Sequence, residues 1–362
     1  MSVIVAPLTV PKAVVTPSKR SPLGAFFGNY WTRRVIKAVV TIYFVATLTF
    51  FLVRLMPGNP VEAFILNLVQ TQGIPFQQAQ QLAASLFSFN VNEPLWQQYL
   101  TYVGNLVHGD LGMSIASTGT PVSRMILQFL PWTLFSVGVA LFISFILGIA
   151  LGMLMAYNRN SLVDNALSVI GAFFASVPNY LVAILIVVFL GIRLHLVPFT
   201  ARRGSLSPGI QPGFNLRFIG DAFFHATLPI AVYVLTTVGS WMLRMKSSTT
   251  DTLGEDYVTV ARARGLRSRR IVGAYVGRNA MLPLVSVLAI SLGYVIGGSI
   301  LIENIFVYQG IGWILGTSID GRDYTVMQGI FLIITIAVVV SNLLADIVYG
   351  FLDPRVRISE GK

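Results

Sequence analysis

Residues 134–155 read LFSVGVALFISFILGIALGMLM, and no Asp, Glu, Lys or Arg occurs between Arg124 and Arg159. A charge-free run of this length can cross the hydrocarbon of a bilayer as a helix, which satisfies its own backbone hydrogen bonds there. Working outward from it, runs or near-runs of the same kind occur at 38–56, 164–193, 226–243, 280–302 and 324–345. The third in chain order, 164–193, carries Pro178 and Asn179 inside it, so a kink is expected there. The reading is an all-α membrane protein with six transmembrane helices and no internal repeat.

Composition agrees. Of 362 residues, 55% are hydrophobic and 11% charged, against about 25% charged in soluble domains. The chain has no cysteine, which excludes a disulfide scaffold, a thiolate metal site and a cysteine nucleophile. His108, His195 and His225 are its only histidines, a poor supply for a metal cluster. Pro7, Pro11 and Pro17 break the first apolar stretch, so no secretory signal is expected.

The 25 Lys+Arg against 14 Asp+Glu give a net charge of +11. Placed on six spans with the N-terminus inside, most of these bases fall in inner segments, including the cluster from Arg244 to Arg278; Arg54, Arg124, Arg193, Arg202, Arg203, Arg217 and Arg322 fall outside. The positive-inside rule then puts both termini in the cytosol and accounts for the basic excess without nucleic acid. Phe26, Phe27, Tyr30 and Trp31 before Arg33 suit a short helix in the headgroup layer. The division expected is a cytoplasmic or interfacial tail 1–35, a first span 36–56, a large extracytoplasmic segment 57–122, a core 123–351 holding the second to sixth spans, and a cytoplasmic tail 352–362. A segment as long as 57–122 is expected to fold as a small cap, with helices at 75–87 and 94–107. Smaller outer segments are expected at 198–225 and 303–323.

The inner loop between the fourth and fifth spans reads TLGEDYVTVARARGLRSRRIVGAYVGRNAMLP, 252–283. Glu255 and Asp256 complement a helix N-terminus and Gly265 sits where a C-terminal cap belongs, which predicts a short cytoplasmic helix, 255–265 with its cap. Ala261, Ala263 and Gly265 would let a partner's backbone approach closely. Tyr257 and Val258 would supply an apolar knob, and Arg262, Arg264 and Arg267 the charge. Those are the features of a mechanical coupling surface.

At Tyr257, Ala261, Ala263, Gly265, Asn279, Leu282 and Pro283 the loop resembles the EAA motif in permeases of bacterial ABC importers. From Tyr30 to Arg357 the chain resembles, more narrowly, the first permease subunit of the dipeptide/oligopeptide importers. The matches are Met56-Pro-Gly-Asn-Pro60, Gln98-Tyr-Leu100 leading to Gly109-Asp-Leu-Gly112, Leu130-Pro-Trp-Thr133, Ser176-Val-Pro178, Gly297-Gly298 with Glu303-Asn-Ile-Phe306, Arg322-Asp-Tyr324, and Asn342 to Asp346 followed by Leu352-Asp-Pro-Arg355. Gln309-Gly-Ile-Gly312 lacks the family's proline, and Asn59 replaces its usual aspartate. The resemblance implies a second similar permease, two cytoplasmic ATPase subunits and an extracytoplasmic substrate-binding protein as partners, in a bacterial or archaeal cytoplasmic membrane. It implies that ATP and Mg are used by the ATPases, with no cofactor or metal on this chain and no enzymatic activity of its own; the chain carries no G-x-x-x-x-G-K-[ST] loop.

Ser176, Asn179, Glu303 and Asn304 are the candidates for the pathway or its gate. The competing reading makes the first two and Asn304 interhelical glue, and Glu303 an outer-interface carboxylate paired with Arg322 or another base. Asp110, between Gly109 and Gly112, reads as turn chemistry. For the substrate, peptides stand first, with oligosaccharides or a nickel chelate as alternatives. A stand-alone channel or secondary transporter would place ionisable groups at the bilayer midplane, and these spans are nearly bare of them. No HExxH and no Ser/His/Asp set for a membrane hydrolase is seen.

Overall fold

The computed structural model describes residues 30–55, 60–86, 93–117, 119–294, 297 and 300–352. Phe26 and Phe27, positions 56–59 of the MPGNP match, Gly298 and the tail beyond 352 lie outside them.

In chain order the helices are α1 (Tyr30–Leu55), α2 (Pro60–Gln72), α3 (Phe76–Leu86), α4 (Leu95–Val107), α5 (Val122–Tyr157), α6 (Leu162–Ser176), α7 (Asn179–Ile186), α8 (Leu216–Leu253), α9 (Asp256–Ala263), α10 (Ser268–Arg270), α11 (Arg278–Tyr294), α12 (Ile300–Phe306), α13 (Ile311–Asp320) and α14 (Tyr324–Leu352). Two π-helical turns, Val187–Arg193 and Ile271–Gly277, extend α7 and join α10 to α11. Among the described residues no strand occurs, only an isolated bridge between Met113 and Pro121.

Among the described residues, five helices are long and apolar enough to cross a membrane: Thr32–Leu52, Val122–Tyr157, Leu216–Leu253, Ser268–Gly293 and Tyr324–Ile347. Two bent pairs also qualify, Leu162–Ser176 with Asn179–Arg193 at 95°, and Ile300–Phe306 with Ile311–Asp320 at 82°. The chain is thus a mostly helical membrane protein. The expected kink at Pro178 is a near right angle, since proline carries no N–H for the helix it would continue and stands as N-cap of α7. Of the expected span 280–302, the helix is described as far as Tyr294, and Ile300–Phe306 forms a sharply bent pair with α13. The expected outer loop 303–323 is therefore largely helical.

α5 and α8 have 36 and 38 residues, about 54 and 57 Å at 1.5 Å per residue, well beyond a hydrocarbon core of about 30 Å. Small residues let them pack. A side chain at Gly148 would strike Trp241, and one at Gly239 of α8 would strike the carbonyl of Gly171 on α6. In lipid, where apolar contact alone gives little net attraction between helices, such close backbone approach is what binds them.

The segment between α1 and α5 is helical at the two places expected, in α3 and α4. Ile65 and Leu68 of α2, Ala79 and Ala83 of α3, and Ile115 form a small core of their own. α4 lies against α1, where Phe50 is fully buried beside the rings of Tyr99 and Tyr102. Asp110 makes the expected turn, accepting from the Gly112 N–H at 2.9 Å. Asp323 then ties this turn region to α14. It accepts from Ser114 Oγ at 2.5 Å and the Ala116 N–H at 3.1 Å, while its other oxygen caps α14 at the Val326 N–H, 3.2 Å.

Candidate functional site

α8 ends at Leu253, and only Gly254 and Glu255 separate it from α9. Val258 and Ala261 share one face of α9 and are buried against Ile271 and Val276 of the following π turn, with Leu253 and Leu266 alongside. The far end closes by backbone geometry. Gly265 has φ +70°, its N–H reaches the Arg262 carbonyl at 2.9 Å, and the Leu266 N–H reaches the Ala261 carbonyl at 3.3 Å. This pair of bonds is a Schellman closure, which needs a left-handed residue at that position. Tyr257 and Asn279, two motif positions 22 residues apart, meet directly: Asn279 Nδ2 donates to the Tyr257 hydroxyl at 2.8 Å.

The expected helix 255–265 is therefore present, with Glu255 as N-cap and Asp256 in the first turn. One expectation is corrected. Val258 is no knob for a partner, and Ala261 does not serve a partner's approach; both face their own chain, because α9 is too short to stay folded without burying one side. Glu255, Asp256, Tyr257, Thr259, Val260, Arg262, Ala263 and Arg264 are exposed. Val260, 55% exposed, is the apolar residue that sequence reasoning missed. Its signal was position, two residues from Val258 and hence on another helix face.

Glu303 is fully buried on α12. Thr133 of α5 donates to its Oε1 at 2.7 Å, and the N–H groups of Gly312 and Trp313 donate to Oε2 at 2.7 and 3.1 Å. The same Thr133 Oγ1 accepts from the Ile311 N–H at 2.8 Å. The carboxylate thus caps the N-terminus of α13, where anions are favoured, and ties the bent pair to α5. A side chain at Gly310 would strike both the Glu303 carboxylate and the Thr133 hydroxyl. Asn304 belongs to the same arrangement, its Nδ2 donating to the carbonyls of Ile300 and Gly312 at 2.7 and 2.9 Å. Its amide nitrogen is thus engaged with backbone.

Of the other candidates, Ser176 is exposed and returns its hydroxyl to the Ala172 carbonyl at 2.7 Å. Asn179 lines a cleft of about 330 Å³ between α5, α8 and α11, together with Tyr233, Thr236, Ser240, Arg244 and Ser291. Tyr233, Thr236, Ser240 and Arg244 recur at helical spacing on α8, a polar stripe that the apolar reading of 226–243 passed over.

Two further groupings were not legible. Asp164 of α6 pairs with Lys246 of α8 at 2.5 Å, and Ser168 joins them. Ser207 donates to Asp221 Oδ1 at 2.7 Å, and its Oγ lies 3.1 Å from His225 Nε2. Asp221 Oδ2 lies 3.7 Å from that same Nε2, while Nδ1 is without a partner among the described residues. A nucleophile, base and orienting carboxylate need both ring nitrogens. This set is instead a clasp fastening the loop before α8 to its first turns.

Residues 148–358 match the family model described as the binding-protein-dependent transport system inner membrane component. The chain is 33% identical over 332 residues, 91% of its length and 99% of the relative's, to a putative peptide permease protein of Brucella suis biovar 1 (strain 1330). It is 32% identical over 340 residues, 90% of its length and 97% of the relative's, to a dipeptide transport system permease protein of Escherichia coli (strain K12). An oligopeptide transport system permease protein of Bacillus subtilis (strain 168) is 30% identical over 328 residues, 90% of this chain and 98% of that one.

Proposed function

This chain belongs to the family of binding-protein-dependent transport system inner membrane components, and we propose that it is one permease subunit of a peptide importer, coupled through α9 to ATPases that it does not itself contain. A binding protein would deliver the peptide from outside, a second permease would complete the pathway, and two cytoplasmic ATPases would drive it. The relatives' names favour peptides over oligosaccharides or a nickel chelate.

With the pair Leu162–Ser176 and Asn179–Arg193 taken as one span and α12–α13 as a re-entrant pair, six spans result, and the positive-inside rule then places both termini in the cytosol. The segment 57–122 becomes an extracytoplasmic cap available to the binding protein. α9 falls on the cytoplasmic side, at the end of a helix long enough to run through the bilayer. The observation that carries the proposal is this placement: a short helix seated on its own chain by Val258 and Ala261, with Val260, Arg262, Ala263 and Arg264 facing outward two residues after α8 ends. A push on that face is passed to α8 directly, which is how a rigid-body swing of packed helices is driven. The chain would bind no ATP, Mg or other cofactor and would catalyse no reaction.

The absence of cysteine makes the test clean. In the assembled complex, Val260→Cys and Ala263→Cys carrying a thiol-attached photo-cross-linker are expected to capture an ATPase subunit, and Val258→Cys is not. Capture of no ATPase from either exposed position would overturn the assignment of α9.

A further inference from the structure

We propose that the cleft between α5, α8 and α11 receives the carboxylate end of the transported peptide, and that Arg244 is the residue that reads it. This rests on the peptide-import reading above and names the determinant of specificity within it.

Arg244 sits on α8 directly after the apolar run 226–243, at the edge of the bilayer, where an ionisable side chain pairs or faces water. Two positions along the same helix, Lys246 is paired with Asp164. Arg244 instead lines the cleft and makes no hydrogen bond or ion pair among the described residues. The Asn179 carboxamide and the Ser240 hydroxyl line the same cleft, likewise without a partner among the described residues. A guanidinium, a carboxamide and a hydroxyl, all able to donate, therefore converge on one hollow, and no Asp or Glu is in its wall. That set recognises an anion with several acceptor oxygens, and the planar fork of arginine suits a carboxylate best. It offers no carboxylate to a peptide's ammonium end.

The stripe from Tyr233 to Arg244 is eleven residues of helix, about 16 Å long, the reach of four or five extended residues. A short peptide with its carboxylate on Arg244 would thus lie along α8 and pass Thr236 and Ser240. Arg244 is nine residues before the end of α8, so a peptide held there would lie on the helix whose end α9 moves.

The test compares uptake by the complete importer, reconstituted with its binding protein, of a peptide with a free carboxylate and of the same peptide amidated at its C-terminus, for wild type, Arg244→Gln and Arg244→Lys. Selection by the binding protein is common to all three complexes and cancels in the ratio of variant to wild type for each peptide. Arg244→Gln is expected to lower uptake of the free acid about tenfold or more, as loss of a charge-assisted pair implies, and to leave the amide at its wild-type rate. Arg244→Lys is expected to retain part of the discrimination. An equal loss for acid and amide, or no loss for either, would overturn the role of Arg244 while leaving peptide import intact; such an equal response is also what a guanidinium serving only lipid phosphate would give. If the wild-type complex takes up neither peptide, the import reading fails and this inference with it.

Discussion

Valine in place of Gly265 is expected to abolish stimulated ATPase activity and transport in the assembled complex while the chain still inserts in the membrane. The argument is conformational. A side chain at this position meets nothing within 4 Å, but the residue has φ +70°, where an L-residue costs roughly 1–2 kcal/mol and a β-branched one is a true outlier. α9 has only eight residues, and isolated helices below about 12–15 residues are marginal. It therefore depends on its closure at Gly265 and on the burial of Val258 and Ala261. Valine would open the bonds from Gly265 and Leu266 and let the last turn, with Ala263 and Arg264, lose its shape. Asparagine tolerates the left-handed region, so Gly265→Asn is expected to keep most of the coupling. Measurement of uptake and ATPase activity side by side in proteoliposomes checks this, and a fully coupled Gly265→Val complex would sink it.

A still larger loss is expected at Glu303, in stability rather than coupling. Glu303→Ala removes the acceptor for the Thr133 hydroxyl and for the N–H groups of Gly312 and Trp313. Each buried donor left unsatisfied costs about 1–3 kcal/mol, which for three is comparable with the entire stability of many domains, about 5–15 kcal/mol. The variant is expected to be degraded or to melt far below the wild type after extraction. Glu303→Gln keeps the shape but turns an NH₂ toward donors, and is expected to lose less. Thr133→Val and Glu303→Gln touch the same arrangement, so their effects are expected to be non-additive. Additive and individually small shifts in melting temperature would show that the carboxylate is not holding the bent pair to α5.

These two sites differ in how far the sequence could disclose them. α9 was legible because everything that defines it is local: acidic residues at its start, a glycine at its end and a small apolar face, within a dozen positions. Which face looked outward was not, since that depends on Ile271 and Val276 folding back as a π turn, and side-chain periodicity does not announce such a turn. The Glu303 arrangement is the opposite case. Its parts stood in plain view as LPWT, ENIF and QGIG, yet the contact joins positions 170 residues apart, and hydropathy alone reads a carboxylate after an apolar run as the end of a span. The same blindness hid the bend between Phe306 and Ile311. It also hid the pair of Asp164 and Lys246, whose charges fell at the margins of their runs. The spans themselves were legible because a bilayer imposes length and polarity on any helix that crosses it, whatever its partners.

The most direct test of the account is purification of the intact chain from native membranes under mild detergent, with identification of every protein and small molecule retained. The account predicts a second permease, ATPase subunits and, with the binding protein present, a bound peptide. Recovery of the chain alone, or only with copies of itself, would contradict it.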